Sequence, residues 1–395
     1  MTPPRVSVIV ERMGPYHMAR LEAVARRTGD LRLHVLQVAG GSRRYAWQEP
    51  ARAGFRTTDL FPGADYLSVA PRALRRAVTS ALEAERPDAI VVNGWGFPES
   101  RAAIAWAARA RRPVVLFSDS HERDSPRAAW RERVKRWLVS GCASALVAGR
   151  LHAEYLARLG MPQGRIVTGY DVVDNGHFAR GADAARTDPG ARARLGLPGA
   201  YFLACGRFVA KKNLLGLVHE YAAYRARSRE PWGLVLAGDG EERPAVEAAI
   251  ARLGLAGAVV LPGFVQYPDL PALYGLASAF VLPSTSEQWG LVVNEAMAAG
   301  LPVIVSSAAG CAPELVRDAE NGFLFDPARP GDLAGRMAAL SALPSEAREA
   351  MGQASRRIVS AYTPETWADG LVRAVTIALE RGALAPRRRL LDWLA

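Results

Sequence analysis

Hydrophobic and polar positions alternate along the chain between short apolar runs and longer stretches with helical spacing. The first half contains six apolar runs, at 6–10, 31–39, 89–95, 113–119, 144–149 and 165–169. Stretches between them, such as "RAAIAWAARA" and "WRERVKRWLVSG", place apolar residues three or four positions apart, which predicts helices. Strands that alternate with helices are typical of a parallel sheet covered on both faces.

The same pattern restarts after a polar segment, "GHFARGADAARTDPGARARLGLPG", which we interpret as a linker followed by a helix. Six further apolar runs follow, at 201–206, 233–240, 259–265, 279–285, 302–307 and 322–326. The sequence therefore predicts two doubly wound α/β domains, at 1–175 and 195–375, that face a cleft. A C-terminal helix over about 376–395 is expected to pack back on the first domain. Ligands of such sheets bind at the carboxyl ends of the strands.

Composition narrows the class of protein. The 395 residues are 50% hydrophobic and 23% charged, which is sufficient for two globular cores. Three cysteines without a CxxC pair argue against a disulfide framework and a cysteine-based metal site. The N-terminal apolar run is too short for a secretory signal, and no apolar run reaches the ~18 residues of a membrane span. We therefore expect a cytoplasmic protein.

The charge balance is basic, with 50 Lys and Arg against 39 Asp and Glu, a net charge of +11 and a pI near 10.0. Such a charge suits nucleic acid, an anionic membrane surface or a phosphorylated small molecule. The chain contains no zinc-ligand spacing, RNP-like aromatic motif or repeat, so we expect no nucleic-acid partner.

Two acidic residues flank a glycine in "STSEQWGLVVNEAMAAG", with Glu287 before Gly290 and Glu295 after it. Glu295 alone would suit the first turn of any helix, where the dipole favours a negative charge. The alternative is that both carboxylates hold one polar ligand. Its anionic part would then bind the amides of Gly290, Leu291 and Val292 at the helix start.

Two cations stand near the end of an earlier predicted strand, in "GRFVAKKNLLGL". Arg207 follows Gly206 directly, and Lys212 lies in the loop that leads to the next helix. A guanidinium and an ammonium at the carboxyl end of a strand suit a diphosphate, although charged loop residues are often simply solvated. With the two carboxylates, these cations predict a nucleoside diphosphate sugar as ligand, because one acid could hold the sugar and the other the ribose.

These motifs, together with "LAGDGEE" and "NGFLF", occur in order over roughly 200–340 and resemble the C-terminal half of the retaining glycosyltransferases of family 4. The resemblance implies the GT-B fold, in which two Rossmann-like domains face a cleft. It further implies that Arg207 and Lys212 neutralise the diphosphate and that Glu295 binds the ribose. Glu287 would contact the transferred sugar, and the amides of Leu291 and Val292 would contact the sugar and the phosphate.

The N-terminal half resembles this family more loosely. In "VERMGPYHMARLEAV", Gly14 and Pro15 stand where the family often has a glycine pair. Proline has no amide, so only Gly14 could contact phosphate or sugar. His17 could contact the acceptor or pack locally.

A second N-terminal motif, "FSDSHERD", ends the fourth of the six predicted strands. The family often has a histidine or aspartate here that lies against the transferred sugar and the acceptor oxygen. Counting from the strand favours Asp119, and residue type favours His121; either residue could also cap the next segment.

Other polar residues have simpler interpretations. Asp171, Asp174 and Asn175 in "GYDVVDN" are expected to form turns, and His152 in a helical run is expected to be structural. The basic helical stretch 128–141 could contact an anionic membrane through its tryptophans, but packing on its own sheet is the simpler interpretation.

The resemblance implies a hexosyltransferase that retains the anomeric configuration and moves a sugar from a nucleotide sugar, most simply a UDP-sugar. The acceptor would be a hydroxyl of a small-molecule metabolite, a lipid or a polysaccharide. Because the chain has no Asp-x-Asp triplet, we expect no metal cofactor. The alternatives are a GT-B sugar-nucleotide epimerase or phosphorylase, and a non-catalytic nucleotide-binding scaffold.

Overall fold

The computed structural model describes residues 2–27, 29–41 and 54–384, and the chain divides into two compact units. The first unit comprises residues 1–122 and 126–172 and those from 364 onward; the second comprises 123–125 and 173–363. The last part of the predicted C-terminal helix, 385–395, lies outside the described residues.

The first unit is built on a seven-stranded parallel sheet with the strand order β3-β2-β1-β4-β5-β6-β7. Its strands are β1 (Arg5–Val10), β2 (Arg32–Gly41), β3 (Arg56–Asp65), β4 (Ala89–Asn93), β5 (Val114–Ser118), β6 (Ser144–Val147) and β7 (Ile166–Thr168). The helices between them are α1 (Pro15–Ala25), α2 (Pro71–Glu85), α3 (Pro98–Ala110), α4 (Ala129–Ser140) and α5 (Arg150–Arg158). Short 3-10 helices occupy Tyr66–Ser68 and Gln163–Arg165.

The central strands are the ones that the apolar runs predicted. Strands β4 and β5 are almost continuously apolar and buried, as expected where helices cover both faces of a sheet. Strand β3 was not predicted, because its sequence "RTTDLFPGAD" mixes polar residues with Pro62 and Gly63. It forms one edge of the sheet, where a residue without an N–H donor is tolerated.

The second unit is built on a six-stranded parallel sheet with the strand order β10-β9-β8-β11-β12-β13. Its strands are β8 (Tyr201–Cys205), β9 (Gly233–Ala237), β10 (Val259–Gly263), β11 (Ala279–Leu282), β12 (Val303–Ser306) and β13 (Gly322–Phe325). Its helices are α6 (Asn175–Thr187), α7 (Ala191–Arg194), α8 (Leu214–Arg227), α9 (Arg243–Arg252), α10 (Leu270–Leu276), α11 (Leu291–Ala298), α12 (Ala312–Leu315), α13 (Asp332–Ser341) and α14 (Ser345–Val359). A 3-10 helix spans Ala210–Lys212.

The segment that the sequence suggested as a linker is helix α6, which packs in the second unit. Asp174 caps it by accepting a hydrogen bond from the amide of His177 at 2.9 Å, in line with its predicted turn-forming character. The helix comes very close to α10, since a Cβ on Gly181 would lie 2.5 Å from Cβ of Pro271. Small residues at this contact, rather than a hydrophobic stripe, allow the close packing, and for this reason the pattern did not predict it.

The last helix, α15 (Pro364–Arg381), belongs to the first unit. It packs against β5, β6 and β7, and the buried hydroxyl of Ser144 donates to the carbonyl of Ala374 at 2.6 Å. Trp367 on this helix is buried at 2% exposure. Within the described ranges, no helix has the length and apolarity that a bilayer span requires.

Candidate active site

The loops after β8 and β11 lie side by side in the second unit, because these two strands pair in parallel. Carboxyl ends of neighbouring parallel strands meet at one edge of the sheet. The amide of Thr285 donates to the carbonyl of Lys211 at 2.9 Å, and Nδ2 of Asn213 donates to the carbonyl of Pro283 at 3.2 Å. The fold thus fixes against each other the two loops that carry the predicted site residues.

Lys212 and Glu287 form an ion pair between these loops, from Nζ to Oε2. Ser284 Oγ donates to the same carboxylate oxygen at 3.2 Å. The two ionic side chains are only 15% and 9% exposed. Two charges so far removed from water stabilise each other, and removal of one takes away a compensating charge from the other. The predicted phosphate cation therefore contacts the predicted sugar carboxylate, and Ser284 is a neighbour that the sequence analysis did not single out.

Gly206 forms the turn that directly follows β8, next to the Lys212 side chain of this ion pair. Its φ of 150° lies at the edge of the region that glycine adopts readily. A Cβ there would lie 3.7 Å from Cε of Lys212, so the lysine side chain passes beside the turn. Arg207 follows and is exposed. The strand end therefore carries an exposed guanidinium directly after the turn that the Lys212 side chain passes.

Gly290 starts α11 in a conformation that requires glycine. Its φ is 109°, and a Cβ would lie 2.9 Å from Cδ2 of Leu282. Leu291 and Val292 are the first two residues of the helix. Amides in the first turn have no acceptor within their helix, and with the helix dipole they favour an anion. The structure places these amides where the sequence predicted them.

Glu295 lies one turn further along α11 and is fully buried at 0% exposure. The hydroxyl of Tyr274 donates to its Oε2 at 2.6 Å. Burial and the nearby Glu295 carboxylate raise the pKa of the Cys205 thiol at the end of β8. The Glu295 carboxylate therefore lies near the Cys205 thiol at the end of β8.

In the first unit, Gly14 and His17 form the start of α1, just after β1. The amide of Gly14 donates to Nδ1 of His17 at 3.2 Å. The amide that the sequence predicted to contact phosphate or sugar thus donates within the helix start in this structure. The same hydrogen bond leaves the proton of the neutral imidazole on Nε2.

The His17 ring lines a small cavity at the carboxyl end of β1, β4 and β5, together with Arg20, Asn93 and Tyr170. The cavity volume is about 10 Å³, enough for one water molecule. Burial, and to a lesser extent the charge of Arg20, lower the pKa of His17 to about 4. His17 is therefore neutral near pH 7, and can donate from Nε2.

Asp119 and His121 follow β5 but have different surroundings. Asp119 is partly exposed; burial raises the pKa of Tyr170, which lines the His17 cavity, and the nearby Asp119 charge adds a smaller part of this rise. His121 is only 1% exposed, and its ring lies edge-to-face against that of His152 with centroids 5.2 Å apart. His152 is itself held by the amide of Gly149, which donates to its Nδ1 at 3.2 Å. Asp119 and His17 thus share one neighbourhood, whereas His121 packs against a histidine that the sequence analysis took as structural.

The predicted residues form two groups, one at the strand ends of each sheet. The second unit brings together its group at the ends of β8 and β11, and this group consists of Gly206, Arg207, Lys212, Glu287, Gly290, Leu291, Val292 and Glu295. Cations and helix amides make this group suited to a phosphorylated ligand. In the described part of the chain, no three His, Cys, Asp or Glu side chains cluster as metal ligands would.

Two family models match the chain. The model described as "Glycosyl transferases group 1" matches residues 192–358, and "Glycosyl transferase 4-like domain" matches 8–170. The first match contains the whole site group of the second unit, and the second contains Gly14, His17, Asp119 and His121.

Curated relatives share sequence over part of their length. The D-inositol 3-phosphate glycosyltransferase of Segniliparus rotundus is 34% identical over 221 residues, which is 55% of this chain and 48% of the relative. The alpha-D-kanosaminyltransferase of Streptomyces kanamyceticus is 27% identical over 245 residues, which is 62% of this chain and 61% of the relative. The chain thus spans about half to three fifths of the length of these relatives.

The fold itself is shared over nearly the whole chain. The crystal structure of Anabaena HepE in complex with UDP and glucose superposes with a TM-score of 0.71 at 20% identity, covering 94% of this chain and 99% of HepE. Two parallel-sheet Rossmann-like units and this similarity confirm the predicted α/β GT-B architecture. The chain belongs to family 4 of the GT-B glycosyltransferases.

Proposed function

We propose that this protein transfers a sugar from a nucleoside diphosphate sugar, most simply a UDP-sugar, to a hydroxyl acceptor with retention of the anomeric configuration. The observation that carries the proposal is the Lys212–Glu287 ion pair, which joins the loop after β8, where Arg207 is exposed, to the loop that leads into α11. The names of the relatives support sugar transfer, and HepE was crystallised with UDP and glucose.

The diphosphate of the donor is the leaving group of the proposed reaction. Its oxygens would bind the amides of Leu291 and Val292, while Arg207 and Lys212 contribute positive charge. Cleavage of the anomeric C–O bond places negative charge on the leaving diphosphate. Fixed cations and helix amides stabilise that charge more in the transition state than in the ground state, so they lower the barrier. This chemistry requires no metal cofactor, and we propose that none is used.

Glu287 would hold hydroxyls of the transferred sugar, and Glu295 those of the ribose. Hydroxyl pairs bind carboxylates through charge-assisted hydrogen bonds, which are about twice as strong as neutral ones. The acceptor hydroxyl would attack from the face that the diphosphate leaves, and this preserves the anomeric configuration. Its proton would pass to the departing phosphate oxygen.

The first unit would supply the acceptor side. Asp119 or His121 would contact the transferred sugar and the acceptor oxygen, and the neutral His17 would offer a donor to the acceptor. The acceptor is a small-molecule metabolite, a lipid or a polysaccharide with a free hydroxyl. The inositol 3-phosphate in the name of one relative supports a small polar acceptor.

A panel of nucleotide sugars tests this proposal. A donor present at 100 times its Kd should raise the free energy of unfolding by about 2.7 kcal/mol, which thermal unfolding detects. The stabilising donor is then incubated with candidate acceptors, and the anomeric configuration of the product is read by NMR. Isomerised donor would indicate an epimerase, and sugar released as sugar phosphate would indicate a phosphorylase. Binding without any transfer or slow donor hydrolysis would indicate a scaffold.

We further propose that the start of α4 makes peripheral contact with an anionic membrane. The C-terminal half of α4 packs on its own core through Leu138 and Val139, but Trp130 at its start is 66% exposed. The guanidinium of Arg131 lies 5.3 Å from the Trp130 ring centroid. An exposed tryptophan beside arginines suits the interface of an anionic bilayer. Sedimentation with anionic but not with zwitterionic vesicles, lost in Trp130→Ala, would support this contact.

A further inference from the structure

The Tyr274–Glu295 hydrogen bond joins two fully buried side chains, both at 0% exposure. The O···O distance of 2.6 Å is the length expected when a hydroxyl donates to an ionised carboxylate. A carboxylate shut off from water is costly unless donors hold it, and Tyr274 supplies one. A glutamate at a surface position would be solvated and would not need such a partner. The fold therefore keeps the Glu295 carboxylate buried beside the strand end at a cost in free energy.

The Tyr274 ring is itself fixed on both sides. It meets Phe178 edge-to-face with centroids 5.7 Å apart, and Phe280 at 5.8 Å. Phe280 lies on β11 and Phe178 on α6, so a strand and a second helix set the direction of the hydroxyl. The hydroxyl in turn donates to Oε2 of the Glu295 carboxylate on α11.

We propose that Tyr274 is a positioning residue for the ribose of the donor, and that it acts through Glu295. This inference rests on the proposed function, in which Glu295 receives the ribose hydroxyls. By donating to Oε2, Tyr274 fixes the plane of the carboxylate and the direction in which it can accept a further hydroxyl. Without that donor, the carboxylate would rotate or bind water, and it would bind the ribose hydroxyls less strongly.

A purely structural role for Tyr274 makes a different prediction. If the hydroxyl only stabilises the fold, its loss lowers the affinity for all nucleotides equally or for none of them. If the hydroxyl positions Glu295 for the ribose, its loss lowers the affinity only for nucleotides that carry ribose hydroxyls. The chain offers a matched control in Tyr221, also fully buried, whose hydroxyl donates to the carbonyl of Trp232 at 2.8 Å. Trp232 directly precedes β9, so this bond lies at the opposite edge of the same sheet.

The experiment measures the binding of UDP, GDP and ADP, and of their 2′,3′-dideoxy counterparts, to the full-length protein by titration calorimetry. We expect the wild type to prefer the ribonucleotide by about 10-fold, since hydrogen bonds to a charged group contribute strongly. In Tyr274→Phe, this preference should fall to near unity, with dideoxynucleotide affinity unchanged. Tyr221→Phe should retain the full preference.

Each other result overturns the proposal. A Tyr274→Phe variant that keeps the ribose preference shows that Glu295 does not need this donor. An equal loss of affinity for both nucleotide forms assigns Tyr274 a structural role only. If the wild type binds none of the nucleotides, the proposed function fails, and this inference fails with it.

Discussion

Lys212 and Glu287 form an ion pair across two neighbouring strand ends, and Ser284 donates to the same carboxylate oxygen. Each of these two charges compensates the other. A diphosphate that approaches Lys212 competes with Glu287 for the ammonium and leaves the carboxylate available to sugar hydroxyls. Under the proposed function, this pair therefore couples binding of the phosphate to binding of the sugar.

Lys212→Ala and Glu287→Ala should each abolish transfer while the fold persists. Loss of Lys212 removes charge stabilisation of the leaving diphosphate, for which single donors contribute about 100-fold or more to kcat. Loss of Glu287 removes the carboxylate that holds the transferred sugar under the proposed function. Each variant also removes the ion-pair partner of a mostly buried charge and should lower the free energy of unfolding. Steady-state kinetics and circular dichroism give the two readouts.

Lys211 provides the matched control for Lys212, because it lies in the same 3-10 helix and is also partly exposed. In Lys211→Ala, the backbone carbonyl that binds Thr285 is retained, so turnover and stability should stay near those of the wild type. Normal turnover in both the Lys212 and Glu287 alanine variants would falsify the site assignment.

Gly290→Ala should destabilise the second unit and impair the helix start. A non-glycine residue with a positive φ is disfavoured by about 1–2 kcal/mol, and the added methyl also contacts Leu282. We expect a lower urea midpoint and weaker nucleotide binding, because the first amides of α11 would shift. Gly257→Ala is the control: this glycine is exposed and its Cβ would meet nothing within 4 Å. A Gly290→Ala protein as stable as the Gly257→Ala protein would contradict the requirement for glycine.

Local pattern predicted the buried strands and the second-unit site, because apolar runs mark the strands and the site motif surrounds one glycine. Features that depend on packing between distant segments were not predicted. Helix α6 was interpreted as a linker, since its contact with α10 uses Gly181 rather than a hydrophobic stripe. Tyr274 could not be told from an ordinary core aromatic until the structure placed its hydroxyl on Glu295. No signal in the sequence indicated that His152 would lie against His121.

His17→Gln should reduce the loss of stability at acidic pH. His17 has a pKa of about 4 in the folded protein, against 6.5 for an unperturbed histidine. Between these values the unfolded chain binds more protons, so the free energy of unfolding falls as the pH drops from 6.5 toward 4. Glutamine at this position does not titrate, but can still accept from the amide of Gly14, as in a capping box.

Urea denaturation at several pH values between 7 and about 4 measures this effect. The His17→Gln protein should match the wild type near pH 7 and show a shallower decline below pH 6.5. His219→Gln, a substitution of an exposed histidine on α8, should leave the wild-type slope unchanged. Parallel pH profiles for wild type and His17→Gln would show that His17 is not held neutral by the fold.

Asp119 and His121 should respond differently to substitution, because only Asp119 is partly exposed. Asp119→Asn keeps the size of the side chain and removes its charge next to the His17 cavity. We expect kcat to fall by about 100-fold, the lower end of the range for a side chain that takes part in the reaction, with little change in stability. His121→Ala removes a buried ring that packs on His152, and should lower the free energy of unfolding by about 2 kcal/mol or more. Paired measurements of kcat and urea midpoints separate the two effects. A large loss of kcat in His121→Phe, which retains an aromatic ring, with normal turnover in Asp119→Asn, would instead assign the contact with the reacting sugar to His121.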